Sequence, residues 1–439
     1  MMVMLRSLLG ETAETTGGMS DRSLDPASQT AMVSFRGICG KRSEGSTAMN
    51  TKFFVTFVLA LAFASIHDSL CWAEPPSPSF HGLGWLPGGP LSSEAHGISP
   101  DGSTVVGVSG SAEGNQAFRW TSSNGMMGLG DLPGWGFDST AESISLDGSV
   151  VVGVGWSALG TAGFRWTTSG GMESLGYLPG GGYFSAALAT SADGTTIAGH
   201  ANSSSGQTAS VWKTSTGIMP LGDLDGGAFF SAALGVSGDG NVVVGYGNSD
   251  TGSEAFRWSS QTGMQGLGAL GGGTHFSSAR AVSSDGSVIV GHANSLSGDE
   301  AFRWTLERGM EGLGDLPGGD FNSIAWAASA DGHVIVGAGM STAGEEAFVW
   351  DAARGMRSIA SVLGDECGLN LNGWSLTRAR AVSGDGMTIA GVGIDPAGNT
   401  EAWIATIPEP TTLALWGCVG LALALRSRRR SVKMGRPSR

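Results

Sequence analysis

One column of residues in this chain changes from repeat to repeat while its neighbours do not: His96, Glu142, Leu188, Leu234, Arg280, Trp326 and Arg380. The residue before each is alanine every time: Ala95, Ala141, Ala187, Ala233, Ala279, Ala325 and Ala379. A packing residue is needed in every copy of a repeat, whereas a functional residue is needed once. The variable column is therefore where chemistry is to be sought. An imidazole and a carboxylate one repeat apart, His96 and Glu142, are the partners that acid–base work requires. Arg280, Arg380 and Trp326 offer charge and a stacking face to an anionic sugar or another small ligand. A wet channel with ion pairs for charge balance would use the same residue types without any ligand.

A second place with oxygen donors is the loop 364–375, GDECGLNLNGWS. Asp365, Glu366, Asn370 and Asn372 are ligands that a hard cation such as calcium accepts. Their spacing fits no calcium loop, and Asp, Asn and Gly are ordinary loop residues. The loop also falls where a partner could touch it. His200 and His292 share a repeat position, but Tyr246 stands between them and no third ligand type recurs. The glycine runs 180–182 and 271–273 precede no helix, so they are turns and not phosphate cradles. The chain has no nucleophile elbow and no zinc-spaced His/Cys set.

These residues are placed by a repeat. Asp-Gly recurs at Asp101, Asp147, Asp193, Asp239, Asp285 and Asp331, each 46 residues after the last, and again at Asp385 after 54. Trp120, Trp166, Trp212, Trp258, Trp304 and Trp350 keep the same period, followed by Trp403. Each repeat holds four short strand-like pieces, for example 278–283, 287–292, 300–304 and 309–316. Ser99-Pro100-Asp101-Gly102 between the first two pieces suits a type I turn, with the Asp accepting from local N–H groups. The seven Trp are expected between sheets, with the Ser column Ser99, Ser145, Ser191, Ser237, Ser283, Ser329 and Ser383 supplying an indole partner. Arg119, Arg165, Arg257 and Arg303 are expected to pair with acidic residues.

A period of 40–50 residues with four strands is the size of one propeller blade. The expected fold is therefore all-β: seven four-stranded repeats over residues 80–406 closed as a β-propeller. The body opens with an orphan fourth strand, 81–86, and ends after a third strand, 401–406. Pairing the two would latch the last blade and remove two sheet edges. The alternative is an open β-solenoid, which would need atypical capping repeats. The motifs resemble a WD-repeat blade and, more closely, the bacterial HAF repeat: Ala-Val-Ser-x-Asp-Gly, Val-Val-Gly, Ala-Phe-Arg-Trp and Gly-Met-x-x-Leu-Gly. The resemblance departs at Ser210-Val211 and at Ala402-Trp403, and it implies an extracellular repeat without implying an activity.

Composition agrees with a folded, exported body. Glycine is abundant at 74 residues, yet 41% of the chain is hydrophobic, enough to bury a core. Residues 74–425 hold 11 basic against 32 acidic groups, which repels a phosphate backbone and excludes nucleic acid as a partner. Cys418 falls in the apolar tail, which leaves Cys367 as the one cysteine of the repeats, so packing and ladders must hold them without a disulfide.

The ends read as addresses. Residues 49–73, with Lys52 before an apolar run and Ala73 at the cut, form a secretory signal peptide for signal peptidase. Residues 1–48 before it read as a gene-model extension or a disordered leader. Thr411 to Leu425 is an apolar stretch long enough for about 22 Å of helix. Pro408-Glu409-Pro410 precedes it, and Arg426, Arg428, Arg429 and Arg430 follow, favouring retention on the cytoplasmic side. Residues 431–439 are a further basic tail. The order over 407–430 resembles the PEP-CTERM sorting tail. That resemblance implies an exosortase-type membrane enzyme as partner, transient anchoring in the inner membrane, and an association with exopolysaccharide. The expected function is a non-enzymatic binding or structural protein of the cell surface or biofilm matrix, with no cofactor beyond a possible calcium. The alternative is a polysaccharide hydrolase or lyase with its site on the propeller axis.

Overall fold

The computed structural model describes residues 76–134 and 136–408. The expected signal peptide with Ala73, the residues before it, and Glu409, Pro410, Arg428, Arg429 and Arg430 of the tail lie outside the described residues; Pro408 is the last within them.

The described residues are all-β apart from one helical turn, Ile359–Ser361, that runs into a π-helical turn, Val362–Glu366. Strands β2 (Ser93–Ile98), β3 (Thr104–Gly110), β4 (Asn115–Thr121) and β5 (Gly125–Gly128) make a four-stranded antiparallel sheet in chain order. The same order recurs in β6–β9 (139–174), β10–β13 (185–222), β14–β17 (231–266), β18–β21 (272–312) and β22–β25 (318–358). Single-residue parallel bridges link β16 (Gly252–Ser259) to β18 (Gly272–Val282) and β20 (Asp299–Thr305) to β22 (Gly318–Ala328). The last sheet takes β26 (Ser375–Val382), β27 (Thr388–Ile394) and β28 (Thr400–Thr406), and its fourth strand is β1 (Ser79–Gly82) from the other end of the chain. The register runs from Ser79 opposite Thr406 to Gly82 opposite Trp403. The latch thus starts two residues before the expected 81–86 and leaves β28 after Leu83, whose N–H donates to Ala402 O at 2.8 Å.

The turn between the first two strands of each unit is as the sequence dictates. In the second unit, Ser145 Oγ donates to Asp147 Oδ1 at 2.7 Å and accepts from Val150 N at 3.0 Å. Asp147 also accepts from Ser149 N, and Gly148 N closes the turn onto Ser145 O, both at 3.0 Å. The Ser column therefore serves the Asp and the backbone, and not the indoles as expected. The indole N–H groups of Trp212 and Trp403 are buried without a partner.

The residue after each Ser makes a belt from unit to unit. Leu146 N donates to Ala192 O, Ala192 to Gly238, Gly238 to Ser284, Ser284 to Ala330, Ala330 to Gly384, and Gly384 to Pro100, all at 2.8–3.0 Å. The remaining position is Pro100, which has no N–H to give to the next unit. First strands also touch in order, β2 to β6 and onward to β26, and β26 packs back on β2.

Cores lie between sheets. Leu83, Ala95, Ile98, Val105 and Phe118 pack with Ala381, Ala390, Ala402 and Ile404, joining the first unit to the last. Phe118, Phe164, Phe256, Phe302 and Phe348 are fully buried, whereas Trp120, Trp166, Trp258, Trp304 and Trp350 are half-buried at the edge of these cores. Trp403 corrects the repeat alignment. It faces Gly391 as Phe118 faces Gly107, so it replaces the buried Phe, and Ala405 takes the place of the Trp. The outer arginines also differ from expectation: Arg119, Arg165, Arg257 and Arg303 form no ion pair among the described residues. Arg119 donates instead to Thr104 Oγ1 at 3.3 Å.

Candidate functional site on the inner strands

Each residue of the variable column is a β-bulge. On β2, Ala95 pairs with Gly107 and Gly97 with Val106, leaving His96 as the extra residue. The same slip isolates Glu142, Leu188, Leu234, Arg280, Trp326 and Arg380. A bulge re-aims one side chain and breaks the pleat locally. The opposite strand pays with a glycine: a Cβ on Gly107 would strike the carbonyl oxygen of Glu94, and one on Gly391 that of Arg378. The Gly of each Val-Val-Gly motif was the sequence signal for this bulge.

The bulges bring the candidate residues together in two linked groups. His96 Nδ1 lies 3.2 Å from Glu142 Oε2, and its Nε2 lies 3.5 Å from Glu94 Oε2. On the other side, the guanidinium carbons of Arg280 and Arg380 sit 4.7 and 4.3 Å from the centroid of the Trp326 ring. These arginines come from the units on either side of the tryptophan. Arg378, beside them on β26, is held by Glu345 at 3.0 Å. Leu188 and Leu234 take the two bulges between Glu142 and Arg280.

Sequence reading missed Glu94, Arg378 and a second tier on the next strand. His200 stacks on Phe184, and Tyr246 and His292 pack at a tilt on Phe230 and Phe276, with centroids 5.6, 5.7 and 5.4 Å apart. The shared repeat position of His200, Tyr246 and His292 was the available clue, but a metal was the wrong question to ask of it.

Charge in the site follows from burial and neighbours. Burial opposes a charge on His96, but the Glu142 and Glu94 carboxylates outweigh it and raise its pKa to about 9. Glu142 is held low by His96 and then by Arg380 against the cost of its burial, and Glu94 is held low chiefly by His96. Burial pushes His200 and His292 down to about 4, with the Arg280 charge adding to the effect on His292. At neutral pH the column therefore holds a cationic His between two carboxylates, and two stacked arginines beside neutral imidazoles. Buried polar atoms without a hydrogen-bond partner gather here, at His96, His200, Ser278, Arg280 Nε, His292 and Trp326 Nε1. Five others lie elsewhere, at Arg165, Trp212, His275, Arg357 and Trp403.

The loop 364–375 does not come together around a cation. Glu366 is taken by Arg357 at 2.7 Å and Arg354 at 3.7 Å. Asn370 Oδ1 accepts from Asn372 N at 2.8 Å. Asp365 lies in the π-helical turn. Among the described residues no three His, Cys, Asp or Glu side chains are grouped to hold a metal. A cleft of about 1620 Å³ lies apart from the column, between outer strands and the turns at Asp285 and Asp331. Its ion pairs, Arg308–Glu311 at 3.6 Å and His333–Asp331 at 2.8 Å, are exposed and close on themselves. Among the described residues no helix is long and apolar enough to cross a membrane.

No protein-family description matches the chain, and no curated protein does. Among solved structures it is similar to an oligogalacturonate lyase from Vibrio parahaemolyticus, at 11% identity and TM-score 0.46 over 76% of this chain and 98% of that one. It is similar to TolB from Acinetobacter baumannii, at 12% identity and TM-score 0.41 over 70% and 81%. A prolyl endopeptidase aligns at 12% identity and TM-score 0.47 over 73% of this chain and 50% of its own.

Proposed function

We propose that this protein is an exported, non-enzymatic binding protein of the bacterial surface or matrix, built as a closed seven-bladed β-propeller with one ligand site on its axis. Closure is supported by the latch of β1 on β28, the packing of β26 on β2, and the backbone belt from Leu146 round to Pro100. An open solenoid has no use for any of these. The single observation that carries the binding reading is the convergence of the bulge residues, where repeated geometry presents non-repeated chemistry: His96–Glu142, and Arg280 and Arg380 on Trp326.

A hydrolase or lyase is the weaker reading. An acid–base pair must be free to exchange protons near the operating pH. His96, with a pKa raised to about 9, and Glu142, held low, are spent on each other as an ion pair. The acidic body, the signal at 49–73 and the tail at 407–430 support export, exosortase-type sorting and contact with an exopolysaccharide. Calcium is not required in this reading, because the carboxylate of Glu366 already serves Arg357 and Arg354.

The test is a glycan array probed with the full chain, with and without calcium, beside Glu142→Ala and Arg280→Ala. Saturable binding lost in both variants is expected. Absence of binding to any glycan would leave only a structural role or a protein partner. Export is checked separately, by following the chain to the envelope fraction when 49–73 is present and to the cytoplasm when it is deleted.

A further inference from the structure

We infer that the axial site is a carboxylate receptor, in which Arg280 and Arg380, held over the Trp326 ring, grip a single carboxylate group of the ligand. This rests on the reading of the bulge column as a ligand site.

The first argument is an imbalance of partners. Acidic groups outnumber basic ones 32 to 11 in the body. Arg308, Arg354, Arg357 and Arg378 all have carboxylates within ion-pairing distance. Arg280 and Arg380 form no ion pair among the described residues, as Arg119, Arg165, Arg257 and Arg303 form none, but these two are half-buried, burial opposes their charge, and they converge on one ring. The acids nearest to them are already engaged: Glu94 and Glu142 with His96, and Glu345 with Arg378. Two half-buried guanidinium groups on one ring, with no carboxylate among the described residues in contact with either, favour an anionic partner from outside the chain.

The second argument is the kind of group left open. Arg280 Nε and Trp326 Nε1 are buried without a hydrogen-bond partner, and both are donors with no capacity to accept. The ligand must supply acceptors. A guanidinium stacked on an indole keeps its N–H edge free, and that edge matches the two oxygens of a carboxylate. The third argument selects the charge. Glu142 and Glu94 act on the charge of Arg380, so a dianion such as sulfate meets more repulsion from them than a monoanion.

The same carboxylate could belong to a free organic acid or to a uronic sugar within a polymer. The experiment is isothermal titration of the full chain with sodium acetate, sodium glucuronate, glucose and sodium sulfate at constant ionic strength. Acetate and glucuronate are expected to bind, glucose not at all, and sulfate more weakly. Glucuronate binding tighter than acetate would assign the source to the sugar, and equal binding to the free acid. Arg280→Gln and Arg380→Gln are each expected to weaken glucuronate by about tenfold to a hundredfold, the cost of one charge-assisted partner. Trp326→Phe keeps the stacking and removes the N–H, and is expected to weaken binding less. Thermal melting of each variant shows that it is folded. Folded arginine variants that bind glucuronate as wild type does would overturn the inference. So would neutral glycans that bind and need Glu142 while no carboxylate binds, although the axial site would then stand. No binding by any ligand would remove both.

Discussion

His96 carries a charge that depends on two carboxylates, and its consequence is a pH-dependent stability with a definite sign. Its folded pKa of about 9 lies above the ordinary 6.5, so its contribution is fully present below pH 6.5 and is lost as pH rises through 9. The groups facing it are Glu94, Glu142 and, at longer range, Arg380. Full loss amounts to about 3 kcal/mol. His200 and His292 act oppositely. Their folded pKa values of about 4 are depressed, so their contribution is present above pH 6.5 and is lost as pH falls toward 4. The melting temperature, followed from pH 4 to 10, is therefore expected to be highest near pH 6.5 and to fall on both sides. Glu142→Gln should flatten the alkaline limb and bring the His96 titration, read by NMR, back toward 6.5. An alkaline limb unchanged in that variant would show that the His96–Glu142 contact does not control it.

The variable column was legible in the sequence because repeats cancel what is common and leave what differs. What the sequence could not reveal is that these residues are bulges, since a bulge is defined by register against a partner strand. Only the glycine opposite, Gly107 in the first unit, carried its trace. The price of that bulge belongs to the element scale: Gly107→Ala pushes a Cβ into the Glu94 carbonyl and is expected to cost on the order of 2–4 kcal/mol, read by denaturant unfolding. A neutral Gly107→Ala would mean the bulge is dispensable. The alignment of Trp403 failed for a related reason: a Trp two positions out of register resembles the repeat Trp, and only its pairing with Gly391 shows that it fills the buried Phe position. The Ser column was misread because a side-chain partner two residues away in the chain, as Asp147 is to Ser145, competes with partners across the sheet, and Arg119 turned to the Thr104 hydroxyl on the paired strand and not to an acid.

The whole molecule depends on the join between its ends. Phe80 on β1 packs edge-on to Trp374 at 5.2 Å and near Trp403 at 6.3 Å. Removing 76–83 strips β28 of its neighbour and exposes a sheet edge. The expected result is a lower melting temperature and concentration-dependent association by light scattering, because an open edge recruits another chain. Unchanged melting and a monomer would contradict closure through this latch. The four-stranded units were readable from the period of 46 residues, and the join of the chain ends from the orphan strand expected at 81–86, which pairs instead over Ser79–Gly82. The belt of hydrogen bonds was not, because it is made by backbone groups of residues as different as Leu146, Gly238 and Pro100.

The central claim is that a repeated frame carries one unrepeated site, and stoichiometry tests it most directly. Titrating the full chain with a ligand chosen from the array is predicted to give one site per chain, lost in Arg380→Gln and retained in Arg257→Gln, whose residue lines the outer cleft. Several equivalent sites per chain, untouched by Arg380→Gln, would place binding on the repeated surface and contradict the account.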